Sequence, residues 1–180
     1  MRTRHYVLPF LVGLLVVAAA AACDGGKGPE PSDTPGPGSP SAEATPNFSF
    51  QGPVGIDLTT FGVFHRQGEP LPLSIVVAAR EPITLYYRTT QRFDIVVTDS
   101  DGREAWRWSQ GRAFSQVLEQ VELKPGEPMA FTERWDQRGS DGELLPPGNY
   151  HVTATSTHCD ANHADCGKLS VSRILQIRAP

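Results

Sequence analysis

Apolar and polar residues alternate with a period of two through most of residues 47–180, and short turn sequences interrupt the alternation. Such a pattern is typical of β-strands that bury one face. It predicts strands at 71–77, 83–87, 93–97, 103–109, 117–123, 129–135, 150–154 and 171–177. No stretch keeps a helical period for three turns. Seven or eight short strands predict an all-β fold, an antiparallel immunoglobulin-like β-sandwich, with a small barrel as the alternative.

Two turn sequences predict hairpins in this series. Asp99–Gly102, DSDG, stands between the third and fourth predicted strands and is a strong hairpin signal. Lys124–Glu127, KPGE, stands between the fifth and sixth. We therefore expect the two strands of each pair to be neighbours in one sheet.

The first 23 residues differ from the rest of the chain. Arg2 and Arg4 give a positive start, and Tyr6–Ala22 carries no charge and ends in five alanines before Cys23. This arrangement is typical of a secretory signal, and its Ala-Ala-Ala-Cys ending resembles a bacterial lipobox. It predicts a signal peptide at 1–22 and a lipid anchor on Cys23, which would hold the protein on the extracytoplasmic face of the cell membrane. A retained signal-anchor helix and simple secretion are the alternatives.

Residues 24–46 have the composition of a tether. Eleven of these 23 positions are Gly or Pro, and none is aromatic, Val, Ile, Leu or Met. A segment without such side chains cannot bury enough apolar surface to fold. The sequence therefore predicts a lipidated Cys23 with a disordered tether at 23–46, followed by one folded domain at 47–180.

The charge of the chain excludes one class of partner. Its 180 residues include 16 Lys+Arg and 20 Asp+Glu, a net charge of −4, and loss of Arg2 and Arg4 with the signal peptide would make this −6. A mildly acidic chain offers no basic surface to nucleic acid. We expect no nucleic-acid partner.

The sequence lacks motifs for catalysis. It contains no Gly-x-Ser-x-Gly elbow, no His-Glu-x-x-His pair and no glycine-rich phosphate loop. His65 and His151 lie in strand-like runs without a nucleophile pattern nearby. The sequence predicts a protein that is not an enzyme and uses no cofactor.

The segment His158–Cys166 concentrates two thiols, two imidazoles and two carboxylates. Such groups could bind zinc or copper, but their spacing fits no common zinc module. Export favours oxidation, and with Cys23 reserved for lipid the other two cysteines form an even pair. We predict a Cys159–Cys166 disulfide at the tip of a hairpin and no metal; a metal site and free thiols are the alternatives.

Six short motifs between residues 83 and 154 carry a family resemblance. They are QRFDIVV (Gln91–Val97), DSDG (Asp99–Gly102), AWRWSQGRAFSQ (Ala105–Gln116), LKPGE (Leu123–Glu127), RWD (Arg134–Asp136) and LPPGNY (Leu145–Tyr150). In order and spacing they resemble the BsuPI family, named for an intracellular proteinase inhibitor. Two features differ: VVAAREP at 76–82 lacks the Asn usual after this strand, and this chain has an export signal.

We interpret the motif residues mainly as structural. Trp106 and Trp108 lie two residues apart on one face of a predicted strand. They either pack in the core, which we favour, or form an exposed aromatic strip. The same two alternatives, with the same preference, apply to Trp135. Asp94 either points outward or pairs with Arg107 across the hairpin. The other motif residues taken as structural are Gln91, Phe93, Ser109, Phe114, Pro125, Gly126, Asp136, Gly148 and Tyr150.

Two functions are open at this point. The resemblance implies a proteinase inhibitor whose exposed loop pairs as an added strand in the cleft of an extracytoplasmic serine protease. The alternative is a non-inhibitory binding or structural module of the cell envelope. The loops that could make the contact are Asp136–Pro147, Ser109–Phe114 and Cys159–Cys166, and their turn-rich composition does not distinguish them.

Overall fold

A computed structural model describes residues 46–180, which form eleven β-strands and no helix, so the all-β prediction is confirmed. The predicted signal peptide, Cys23 and the predicted tether up to residue 45 lie outside the described residues. Within 46–180 no helix is long and apolar enough to cross a membrane. The strands are β1 Ser49–Gln51, β2 Val54–Thr59, β3 Phe64–Arg66, β4 Leu71–Ala79, β5 Ile83–Tyr87, β6 Phe93–Thr98, β7 Glu104–Arg107, β8 Glu119–Leu123, β9 Met129–Trp135, β10 Gly148–Ser156 and β11 Ser170–Arg178.

The strands form three separate sheets. The first has the order β1-β2-β4-β9, the second β3-β11-β10-β6-β7, and the third consists of β5 and β8. Strand β3 runs parallel to β11, and the other neighbours are antiparallel. Because the sheets are distinct rather than one sheet closed on itself, the fold is a sandwich and not a barrel.

The core lies between the inner faces of the two larger sheets. In β4 every second residue is buried, from Leu71 through Val77, while its other residues are more exposed. The inner face of the second sheet contributes Ile95, Val152 and Leu175 to the same cluster, each with no measurable exposure. Each such side chain stabilises the fold by about 1.5–3 kcal/mol relative to an exposed one.

Three strands, β1, β2 and β3, are not among those that the sequence pattern predicted. Strands β1 and β3 contain only three residues each, too few to show an alternation. In β2 the residues from Val54 to Leu58 are all buried, including Asp57. Val54, Ile56 and Leu58 nevertheless alternate with Gly55, Asp57 and Thr59, and this was the signal that could have predicted the strand.

One predicted hairpin is correct and the other is wrong. Strands β6 and β7 pair across the DSDG turn, where the Asp99 carboxylate accepts the N–H groups of Asp101 and Arg103, each at 2.9 Å. The turn at Lys124–Glu127 also forms, but β8 pairs with β5 and β9 with β4. The chain changes sheets at this turn, since a turn reverses the chain without choosing the partner of either strand.

The motif LPPGNY holds the start of β10. The Tyr150 hydroxyl donates a hydrogen bond of 2.7 Å to the carbonyl of Pro146, four residues earlier. Gly148, the first residue of β10, packs against the Tyr150 ring, because a Cβ at this position would lie 3.7 Å from Tyr150 Cε2. This is the tyrosine corner of immunoglobulin-like sandwiches, which fixes the connection that leads into a strand of the second sheet.

Candidate functional site

The three candidate loops differ in shape. The loop Asp136–Pro147 is closed by its own hydrogen bonds. Gln137 is fully buried, and its side-chain amide donates to two carbonyl groups of the Arg66–Glu69 turn, at 2.9 and 2.7 Å. The N–H of Gly139 donates to the carbonyl of Glu143 at 2.8 Å. A chain reversal this tight cannot lie extended in the cleft of a partner.

The second loop, Cys159–Cys166, is closed by the predicted disulfide, which is confirmed. Inside it the Asp160 carboxylate accepts the N–H groups of Asn162 and Ala164, at 3.1 and 2.8 Å, and so forms another compact turn. Among residues 46–180 no three His, Cys, Asp or Glu side chains are placed to hold a metal ion. Closing so short a loop stabilises the fold by about 2.5 kcal/mol in the chain-entropy model.

The third loop exposes two adjacent large apolar side chains. The β7–β8 connection, Trp108–Leu118, begins with a turn in which the N–H of Arg112 donates to the carbonyl of Ser109 at 3.1 Å. From residue 113 the chain then runs without regular structure to β8, and the N–H of Val117 donates to the Ser115 carbonyl at 3.1 Å, which closes a three-residue turn. Val117 and Leu118 are 44% and 69% exposed, which is high for large apolar side chains. The candidate segment therefore extends four residues beyond the Ser109–Phe114 loop.

Val117 and Leu118 stand outside the strand to which the sequence pattern assigns them. Pairing in β8 begins at Glu119, opposite Tyr87. In the sequence VLEQVEL at 117–123, Leu118 breaks the alternation that Val121 and Leu123 follow. Two adjacent apolar residues cannot both face one side of a strand, and this was the signal that could have placed them in the loop.

The backbone before Leu118 is attached to the domain at two points. The ring of Phe114 packs against the Trp108 ring, with centroids 5.7 Å apart. The N–H of Ser115 donates to the Thr90 hydroxyl at 3.1 Å, and the N–H of Thr90 donates to the Ser115 carbonyl at 3.0 Å. These contacts fix the conformation of the connection up to Ser115.

The backbone after Leu118 is attached as well. Glu119 is paired with Tyr87 in the β5–β8 sheet, and its carboxylate forms an ion pair with Arg92. The Arg92 guanidinium in turn lies 4.3 Å from the centre of the Tyr87 ring. Residues 116–118 are therefore presented between two fixed points, so that little conformational entropy is left to lose when a partner binds.

A polar network supports the first turn of the connection. Asp94, on the outer side of β6, accepts the Ser109 N–H at 3.2 Å, the Ser109 hydroxyl at 2.9 Å and Arg107 Nη1 at 2.8 Å. Arg107 also donates to Glu104 at 2.5 Å. The hydrogen bonds that Arg107 donates, first to Glu104 and then to Asp94, raise the pKa of its guanidinium. Asp94 thus pairs across the hairpin and ties the connection to β6.

The tryptophans pack inward and do not form an exposed strip. Trp108 lies against Phe93, with ring centroids 4.3 Å apart, and is 8% exposed. Trp106 stacks on Trp135 at 5.5 Å, and Trp135 is 1% exposed. On the solvent side, the Arg112 guanidinium lies 4.3 Å from the centre of the Trp108 ring. These aromatic rings are the platform on which the β7–β8 connection rests.

The remaining motif residues shape turns and strand ends. The Gln91 side chain donates to the Phe93 carbonyl at 3.0 Å, ahead of β6. Pro125–Gly126 forms the turn after β8, with Gly126 at a φ of 82°, which a residue with a Cβ rarely adopts. Asp136 accepts the N–H of Arg138 at 3.2 Å and caps the loop after β9.

A serine and a histidine lie together but cannot act as a nucleophile pair. Ser156 Oγ and His158 Nδ1 are 2.8 Å apart. Burial lowers the pKa of His158, which favours the neutral ring. Ser156, however, has no exposed surface, so a substrate could not reach its hydroxyl.

Residues 46–180 thus form a β-sandwich domain that presents one loop with exposed apolar side chains on an aromatic platform. The family profile described as BsuPI, intracellular proteinase inhibitor, matches residues 63–159, which are 97 of the 180 residues. The protein therefore belongs to the BsuPI family. The match covers β3 to β10 and ends at Cys159, so that β1, β2 and β11 lie outside it.

Comparison with solved structures finds distant likenesses. The C-terminal domain of Wzt has 15% identity over 78% of this chain and 82% of its own, with a TM-score of 0.44. The sporulation control protein Spo0M from Bacillus subtilis has 15% identity over 72% and 50%, with a TM-score of 0.40. A β-glucosidase from Listeria innocua has 11% identity over 69% of this chain and 16% of the enzyme, with a TM-score of 0.39. No curated protein matches the sequence.

Proposed function

We propose that this protein is a membrane-anchored inhibitor that occupies the cleft of an extracytoplasmic serine protease with its β7–β8 connection. Membership of a family described as a proteinase inhibitor supports a protease as the partner. The observation that carries the choice of loop is the stretch before β8, which is exposed at Val117 and Leu118 and attached to the domain on both sides.

In this proposal residues 116–118 pair in the protease cleft as an added strand, through their backbone, as substrates do. Among the large apolar side chains of residues 46–180, that of Leu118 has the highest exposed fraction, 69%. In this proposal the Leu118 side chain fills the specificity pocket of the protease. Removing a leucine from water contributes about 1.5–3 kcal/mol.

Inhibition is tested by titrating a subtilisin-type serine protease with the mature chain, in which Cys23→Ser replaces the lipid anchor. We expect stoichiometric inhibition. Leu118→Asp should weaken it about 100-fold, because a carboxylate in an apolar pocket loses the burial of the leucine and its own hydration. Residual protease activity at several inhibitor concentrations measures the change.

The matched control is Leu144→Asp, which puts the same carboxylate on the rival loop at a leucine that is 40% exposed. We expect it to inhibit as the parent does. Loss of inhibition in this variant but not in Leu118→Asp would move the contact to the Asp136–Pro147 loop. A parent chain that stays folded and undigested without inhibiting would refute the proposal and favour a non-inhibitory envelope module.

The anchor has its own test. The positive start, the uncharged run and Cys23 support lipidation and display outside the cell membrane. In cells that make the full chain, Cys23→Ser should shift the protein from the membrane pellet to the soluble fraction. Continued membrane residence of a processed Cys23→Ser chain would contradict a lipid anchor at this residue.

A further inference from the structure

A cleft of about 570 Å³ lies beside β5, between the turn that joins β1 to β2 and the disulfide loop. Five consecutive residues, Pro82–Tyr86, border it. Side chains of a strand point alternately to its two faces, so a cleft on one face would contact every second residue. Contact with all five means that the cleft runs along the edge of β5.

Backbone groups of β5 are open along this edge. The Cys159 N–H donates to the Tyr86 carbonyl at 2.7 Å, on the side of β5 that faces away from β8. Thr84 lies two residues earlier and directs its own N–H and C=O to that side. No backbone or side-chain hydrogen bond within residues 46–180 reaches either group of Thr84.

The disulfide loop thus pairs with β5 at one residue and does not continue as a third strand. Cys159 forms a bridge with Tyr86, after which the chain turns away at Asp160. On the side of β5 that faces away from β8, no residue of 46–180 pairs with Thr84. A peptide backbone supplies an acceptor and a donor at the spacing that Thr84 requires, whereas a merely apolar ligand supplies neither.

We propose that this cleft binds an extended peptide segment of a partner protein, which adds a strand to the β5 edge at Thr84. The cleft volume lies within the range of about 300–1,000 Å³ that is usual for binding sites. Its inner wall is formed by Val54, Leu85 and Leu169, all nearly buried, and its rim carries Asp160 and Lys168. The segment that fits alternates apolar side chains, directed at that wall, with polar ones.

This site is independent of the proposed protease contact. Strand β8, which follows Leu118, occupies the opposite edge of β5. A peptide at Thr84 and a protease at Leu118 therefore use different edges of the same small sheet. A chain that fails to inhibit a protease can still bind a peptide at Thr84, and the reverse also holds.

Thr84→Pro removes the donor that the proposal requires. The Thr84 N–H is directed at the cleft and not at β8, so its loss removes no hydrogen bond of the fold, and proline is tolerated at sheet edges for this reason. Thr84→Val is the matched control, because it keeps the N–H and changes only the side chain.

The experiment selects a phage-displayed library of random peptides on the mature chain carrying Cys23→Ser. The enriched peptides are synthesised, and their affinities are measured for the parent chain and both variants. We expect alternating apolar and polar sequences, unchanged binding to Thr84→Val, and about tenfold weaker binding to Thr84→Pro. On the parent chain, bound peptide should slow hydrogen exchange at the Thr84 amide, a readout that does not depend on the proline variant.

Three results would overturn the proposal. One is that no peptide is enriched above selection on an unrelated protein. Another is that the enriched peptides leave Thr84 exchange unchanged and bind a folded Thr84→Pro chain as well as the parent. The third is self-association of the chain that Thr84→Pro abolishes, since a second copy would then occupy the edge.

Discussion

Replacing Asp57 by Ala should lower the free energy of unfolding by about 3 kcal/mol, since removal of one member of a buried ion pair leaves the other charge uncompensated. Asp57 Oδ1 lies 2.6 Å from Arg173 Nη2, and the aspartate side chain is 3% exposed. Arg173 is 30% exposed, so water offsets part of the loss and the value lies at the lower end of the usual range. The pair joins β2 of one large sheet to β11 of the other.

Denaturant unfolding at neutral pH, followed by tryptophan fluorescence, measures this effect. Asp101→Ala is the control, because Asp101 forms an ion pair with Arg103 at 2.7 Å in which both side chains are more than 60% exposed. We expect it to change stability by less than about 1 kcal/mol. The double variant Asp57→Leu, Arg173→Met should recover most of the loss, since two apolar side chains leave no charge buried. An Asp57→Ala chain as stable as the control would mean that the pair is effectively solvated.

Asp94→Ala should lower both stability and inhibition. The Asp94 side chain is 15% exposed and accepts three hydrogen bonds from Arg107 and Ser109. Their loss leaves the donors without an acceptor and should lower the free energy of unfolding by about 2–3 kcal/mol. It also releases the first turn of the β7–β8 connection, so the proposed inhibition should weaken about tenfold because more of the connection must be ordered on binding.

Asp94→Asn separates the two contributions of this carboxylate. It keeps Oδ1 for the Ser109 N–H, and its Nδ2, in place of Oδ2, can donate to the Ser109 hydroxyl but cannot accept from Arg107. We therefore expect about half of the stability loss and nearly full inhibition. Denaturant unfolding and protease titration of the same preparations give both values. An Asp94→Ala chain that is destabilised but inhibits like the parent would show that Phe114 and Ser115 alone position the connection.

The structure agrees with the sequence where the decisive interactions are local. Alternation at 71–77, 93–97 and 129–135 predicted β4, β6 and β9 within two residues of their observed ends. The DSDG turn predicted the β6–β7 hairpin. The disulfide followed from two cysteines seven residues apart in a chain predicted to be exported. In each case the neighbours that determine the structure are a few residues away.

The errors arose where distant residues decide. The partner of β8 is β5, which precedes it by about 30 residues, and the turn at Lys124–Glu127 carries no information about that choice. The partner of Asp57 in β2 is likewise distant, since Arg173 lies 116 residues further along the chain. The sequence pattern places Leu118 in a strand, but the pairing of Glu119 with Tyr87 makes Glu119 the first residue of β8.

The candidate site divides in the same way. Alternation, turn residues and motifs were sufficient to predict the all-β class, the family and three candidate loops. They did not distinguish the loops from one another, because each of these features is a short-range pattern. The choice of the β7–β8 connection among those loops depends on Thr90, Arg92 and Asp94, which meet it from other strands and turns. The open edge at Thr84 exists because the Cys159–Cys166 loop leaves β5 after one bridge. Both follow from long-range packing, in which residues far apart in the chain compete for the same backbone groups, and that competition is resolved only when the whole domain is folded.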